Sequence, residues 1–147
     1  MSILEKINSD LVVAMKAKES GRVTALRGLK SAIKYREIEK HADLTDEDVI
    51  AVLSSTAKKH RDSIEQYEKA GRDDLVQQEK GELEIALCYL PKQLERAEVE
   101  RLVDEVIAEL DVSGDSSFSM VMKAVMPKVK GLADGKLVKE IVQGRLS

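Results

Sequence analysis

Apolar residues along the chain recur at spacings of three and four, the signature of helices that each bury one face. Leu4, Ile7, Leu11, Ala14 and Met15 form the first stripe, and Ser2-Ile3-Leu4-Glu5 has the form of a capping box ahead of it. Gly21 suits a stop or turn, after which Val23, Leu26, Leu29 and Ile33 make a second inward face. The pattern fades near 40–43. Thr45 is a plausible N-cap, followed by Asp46, Glu47 and Asp48 where the helix dipole favours negative charge. Val49, Leu53, Thr56, His60, Ile64 and Tyr67 then predict the longest helix, ending near Ala70-Gly71. Asp73 or Asp74 can start a fourth, with core positions at Leu75, Leu83, Ala86, Leu87 and Leu90. Gly81 inside it marks a close helix crossing, and Pro91 ends the module.

A second, smaller module follows. Val99, Leu102, Val103, Val106, Ile107 and Leu110 form the cleanest amphipathic pattern in the chain. A Ser/Gly loop at 113–117, with Ser117 as a candidate cap, leads to a short helix carrying Phe118, Val121, Met122 and Val125 that Pro127 stops. The stretch 131–135 reads as a turn with Asp134 as N-cap, and the last helix buries Leu137, Val138, Ile141, Val142 and Leu146. Alternation of period two is not sustained anywhere. The expectation is an all-α chain of seven helices: a four-helix module over residues 1–92 and a three-helix module over 93–147.

Composition agrees. The 147 residues are 43% hydrophobic and 35% charged but only 3% aromatic, so aliphatic side chains must build the core. The net charge of −3 is unevenly spread. Residues 1–91 carry −2, residues 92–112 carry −4 and residues 113–147 carry +3. Within 12–36, seven basic residues face only Glu19, and Arg27, Lys30 and Lys34 share one helix face. Such local excess is an electrostatic footprint for nucleic acid or, more plainly, a solvated face. The single Cys88 allows no internal disulfide, the start of the chain lacks a secretory leader's apolar run, and no segment is apolar enough to span a membrane. Together these point to a cytoplasmic protein.

Catalytic chemistry finds little support. Cys88, set between core positions, reads as a buried structural thiol rather than a nucleophile. His60 continues an apolar stripe and reads as a partly buried helix residue; His41 sits in a polar loop. Two histidines and one cysteine without ligand spacing give no metal site. Glu79 and Glu82, one turn apart, read as salt-bridge partners of Lys80 or of a neighbouring helix. Glycine-loop and dinucleotide fingerprints are lacking, so no cofactor is expected. The lysines around the glycine turn, Lys123, Lys128, Lys130, Lys136 and Lys139, are the better candidates. With the turn's exposed amides they suit phosphate, although spacing alone favours the plainer reading of an Asp-capped turn with solubilising lysines. With so few aromatics for base stacking, any RNA contact would be to backbone or shape.

Three stretches resemble the GatB/YqeY family. The first is Gly71-Arg72-Asp73-Asp74-Leu75, leading to Glu79, Glu82-Leu83 and Tyr89-Leu90-Pro91. The second runs from Val121 through Met126-Pro127-Lys128-Val129-Lys130-Gly131, and the third is Ala133-Asp134-Gly135-Lys136-Leu137-Val138. Ala25-Leu26-Arg27 and Asp62-Ser63-Ile64 with Tyr67 also match. The resemblance implies an all-helical fold related to the tail of the B subunit of the tRNA-dependent Asp/Glu amidotransferase. In that enzyme, glutamine supplies the amide nitrogen, the tail engages tRNA and the chemistry belongs to other domains. It therefore implies a non-catalytic accessory protein that contacts tRNA through Lys123, Lys128, Lys130, Lys136, Lys139, Arg27, Lys30 and Lys34, with amidotransferase subunits as further partners. The alternative is a protein-interaction helper with no RNA role. Two departures bear on this. Where the family commonly reads Asp-Met-Gly-Lys, this chain has Ser117-Phe118-Ser119-Met120, and its glycine turn carries Leu132 where the family has Arg or Lys. One glycine and two basic side chains are missing from the expected phosphate surface. Each lost contact would flatten the salt dependence by roughly 0.9 log units per log unit of salt, the duplex-DNA value.

Overall fold

The computed structural model describes residues 1–110 and 117–147; the expected loop at 113–116 lies outside them. Seven α-helices and no strand are found among the described residues: α1 Ile3–Lys16, α2 Ser20–Lys40, α3 Asp46–Lys69, α4 Asp73–Leu87, α5 Arg96–Leu110, α6 Ser117–Val129 and α7 Gly135–Leu146. The protein is all-α. It divides into two compact units, Met1–Pro91 and Lys92–Ser147. None of these helices is long and apolar enough to cross a membrane.

In the first unit, two full capping boxes start α1 and α3. The Ser2 hydroxyl accepts from the Glu5 amide while the Glu5 carboxylate takes the Ser2 amide; Thr45 and Asp48 do the same for α3. Asp46 accepts a hydrogen bond from the Ile3 amide at 3.2 Å, tying the two helix starts together. The core is built from Ile7, Leu11, Ala14, Leu26, Leu29, Ile33, Val49, Leu53, Ala86 and Tyr89. The tightest pairing is α3 against α4, joined by a turn at 70–72 in which Gly71 takes φ +70°.

Local expectations fail where a neighbour overrules the residue's own preference. The turn after α1 falls at 17–19, with Lys18 at φ +57°, and Gly21 is inside the first turn of α2. The Lys18 and Glu19 amides bond back to Met15 and Ala14 carbonyls and close α1 before the glycine is reached. In α4 the buried side chains are Val76 and Ala86, whereas Leu83 and Leu87 are only half-buried. A Cβ placed on Gly81 would meet nothing within 4 Å, so no helix crosses closely there.

The second unit has a core almost wholly of valine: Val99, Val103 and Val106 from α5, Val121, Val125 and Val129 from α6, and Val138, Ile141 and Val142 from α7. Pro127 does not stop α6, which runs two residues further. Proline removes one backbone bond close to the helix end, and the continuation buries Val129 completely. Ser117 is the first helical residue of α6 and is buried, rather than standing outside the helix as its cap. The segment before α5 docks on the glycine turn: the Leu94 amide donates to the Leu132 carbonyl at 2.7 Å and Gln93 Nε2 to the Gly131 carbonyl at 2.9 Å.

Candidate nucleic-acid interface

Lys123, Lys128, Lys130, Lys136 and Lys139 are all exposed in the second unit. Among the described residues no ion pair is made by Lys123, Lys128, Lys130 or Lys139, whereas two of the unit's arginines, Arg96 and Arg145, are engaged. Arg145 bonds Asp104 at 2.8 Å and approaches Glu100 at 3.9 Å; Arg96 reaches Glu100 at 3.0 Å and Glu140 at 3.8 Å. The acidic residues of α5 are thus partly matched by arginine, and Lys123, Lys128, Lys130 and Lys139 are left to solvent.

The backbone of the glycine turn is less open than the sequence suggests. Gly131 takes φ +76°, and the Leu132 and Ala133 amides both donate to the Val129 carbonyl. Asp134 caps α7 by accepting from the Lys136 amide at 3.2 Å. Three amides that a phosphate could use, those of Leu132, Ala133 and Lys136, are already committed to the fold. What the turn presents to an anion is the ammonium groups of its lysines, acting as point charges.

In the first unit, Arg27, Lys30 and Lys34 line one groove of about 520 Å³ between α1 and α2, with Leu4, Leu11 and Met15 on the opposite wall. The spacing of three and seven residues places them on one face of α2. Among the described residues they make no ion pair. Asn8, from α1, also lines the groove, and its Oδ1 is buried without a hydrogen-bond partner.

Other side chains singled out in the sequence land elsewhere. Cys88 is exposed at the C-cap of α4, because the half-turns of 88–90 rotate it outward while Tyr89 packs inward; the expected buried thiol is not found. The Tyr89 hydroxyl donates to Asp10 Oδ2 at 2.5 Å, and burial, followed by that carboxylate, pushes the phenol above its ordinary value. Arg72 and Asp74 form a bidentate exposed pair at the start of α4 that lowers the carboxyl and raises the guanidinium.

One grouping is absent from the sequence reading. His60 Nδ1 lies 2.6 Å from Glu79 Oε2 and 3.8 Å from Glu82 Oε2, all three side chains about one-fifth exposed. Glu79 and Glu82 do face a neighbouring helix, as expected, but meet a histidine there, while Lys80 turns to Glu68 at 4.0 Å. The i,i+3 carboxylates were visible in sequence. Their histidine stands 19 residues away and is brought to them by the α3–α4 hairpin.

Comparison with known proteins gives this chain relatives. Fungal proteins named "Altered inheritance of mitochondria protein 41, mitochondrial" are similar to it. The Lachancea thermotolerans protein is 37% identical over 75% of this chain and 60% of its own length. The Kluyveromyces lactis protein is 34% identical over 84% and 66%, and the Pyrenophora tritici-repentis protein 26% identical over 96% and 79%. The chain therefore spans under two thirds of the first two. These names overturn the cytoplasmic expectation. That expectation rested on a missing secretory leader and a single cysteine, and a mitochondrial address uses an amphipathic, Arg-rich segment instead of a long apolar run. The sequence pattern of the family described as Yqey-like protein matches residues 4–146, and the chain belongs to that family.

Proposed function

We propose that this protein is a non-catalytic binding member of the Yqey-like family whose ligand is tRNA, acting alongside tRNA-dependent amidation in which glutamine donates the amide nitrogen. The observation that carries the reading is the set of exposed lysines in the second unit. Lys123, Lys128, Lys130 and Lys139 lack ion pairs among the described residues and lie in a segment, 113–147, of net charge +3. Unpaired ammonium groups neutralise phosphates and release counterions without reading sequence. The family's relation to an amidotransferase tail supplies the choice of tRNA. Arg27, Lys30 and Lys34 offer a second basic surface of the same kind on the first unit.

Filter binding of the full chain to tRNA across a salt series tests this. Binding should be saturable and weaken with salt, and Lys128→Ala with Lys130→Ala should lower affinity and flatten the salt slope by about two contacts' worth. No saturable binding, or no response to the paired substitution, removes the proposal. A second reading, a protein-interaction helper, draws on exposed apolar side chains: Val12, Val13 and Met15 on α1, and Tyr35 and Ile38 on α2. A defined protein complex that survives nuclease treatment would favour it.

A further inference from the structure

We propose that His60, Glu79 and Glu82 form a binding site for one divalent transition-metal ion, with Zn²⁺ the ion its donors suit best. The three donor atoms lie within 4.8 Å of one another and come from the facing surfaces of α3 and α4. Two ligands of a tetrahedral ion, each about 2.1 Å from it, stand roughly 3.4 Å apart. The observed separations of 2.6 and 3.8 Å bracket that value, so the His60–Glu79 pair would open by about 0.8 Å and the His60–Glu82 pair close by about 0.4 Å, within reach of side-chain rotation. The imidazole nitrogen argues against Mg²⁺ or Ca²⁺, which take oxygen donors, and the absence of thiolate from the set argues against Cu(I).

Charge points the same way. Glu79 and Glu82 make no ion pair with lysine or arginine among the described residues, so two four-fifths-buried carboxylates share one imidazole. His60 can hydrogen-bond only one of them well: Glu79 has it at 2.6 Å, and Glu82 stands off at 3.8 Å. A divalent ion would balance both charges at once. Access is available, since Glu82 also lines a groove of about 470 Å³ with Arg22 and Thr24 of α2 and Gln78 and Gly81 of α4. Three protein donors leave at least one coordination position for water or another ligand on that side.

The test is titration of the chelator-treated full chain with ZnCl₂ in competition with a chromophoric chelator, read beside a thermal melt. One equivalent should bind and raise the melting temperature. Glu82→Gln, which leaves the 2.6 Å His60–Glu79 contact in place and so preserves the fold, should weaken binding by at least about tenfold and abolish the melting shift. His60→Ala should abolish both. Cys88→Ser should change neither, which separates this site from zinc held by the exposed thiol. Sub-stoichiometric binding, affinity unchanged in Glu82→Gln, or loss of binding in Cys88→Ser would each overturn the assignment.

Discussion

The two units reach the same helical architecture with different materials. The first mixes Ile, Leu, Ala, Val and Tyr on longer helices, two of them started by complete capping boxes, and uses a tyrosine–carboxylate bond behind its core. The second fills its core with eight valines and Ile141, and its charged side chains tie α5 to α7 through ion pairs in solvent. Valine is a poor helix former because its branched Cβ restricts χ1 in a helix, but that stiffness also leaves it little freedom to lose on burial. Helices α5 to α7 are thus held chiefly by packing against one another, with Asp134 as a cap on α7, whereas α1 and α3 are also favoured locally by complete capping boxes.

The sharpest way to break this contrast is a pair of core truncations. Leu53→Ala, at a fully buried position, should cost about 2–5 kcal/mol in urea denaturation, and Val125→Ala, which removes less side chain, about 2 kcal/mol. Equal costs would mean that the valine core is packed too tightly to relax around a small deletion. Next comes Tyr89→Phe, expected to destabilise by about 1–2 kcal/mol through loss of a charge-assisted hydrogen bond to a half-exposed Asp10. Because the folded state raises the Tyr89 phenol above its unfolded value of 10, its contribution is intact below pH 10 and fades as pH rises through the folded value. Stability of the Tyr89→Phe variant should accordingly fall less steeply on the alkaline side.

Gly81→Ala has the opposite sign. It should stabilise by up to about 1 kcal/mol, since a methyl there meets nothing and helix propensity improves. Gly144→Ala, equally open but in the last turn of α7, should gain less. The smallest effect concerns Asp48, whose carboxyl is held at about 2 by the Lys40 ammonium and then by the Thr45 amide and hydroxyl. A depressed carboxyl stabilises the fold above its unfolded value of 3.8 and loses that contribution as pH falls toward 2. In Lys40→Ala an NMR titration should show the Asp48 midpoint moving up toward 3.8, with little change in the melt, because the pair is exposed.

Features set by near neighbours in sequence were legible. Ser2, Thr45 and Asp134 cap as their side chains and following residues predict, and the apolar stripes of α5 and α7 became cores. What escaped needed information from another element. Gly21 was the obvious breaker, yet α1 is closed by its own carbonyls before reaching it. Pro127 carried a stop signal that burial of Val129 outweighed. Cys88 was assigned inward by its apolar neighbours, but only the register at the end of α4 decides that Tyr89 takes the inner position. The basic residues of the candidate interface were readable because charge and spacing are local. The meeting of His60 with Glu79 and Glu82 depends on helix–helix register that no local pattern encodes.

The exposed thiol at the end of α4 makes the protein unusually convenient for spectroscopy. Cys88 is the only cysteine in the sequence and stands three residues before the end of the first unit. Maleimide chemistry on the unaltered chain would therefore give a homogeneous, singly labelled product. A fluorophore there becomes a reporter at the end of the first unit, and a second cysteine introduced on α7 would turn it into a ruler.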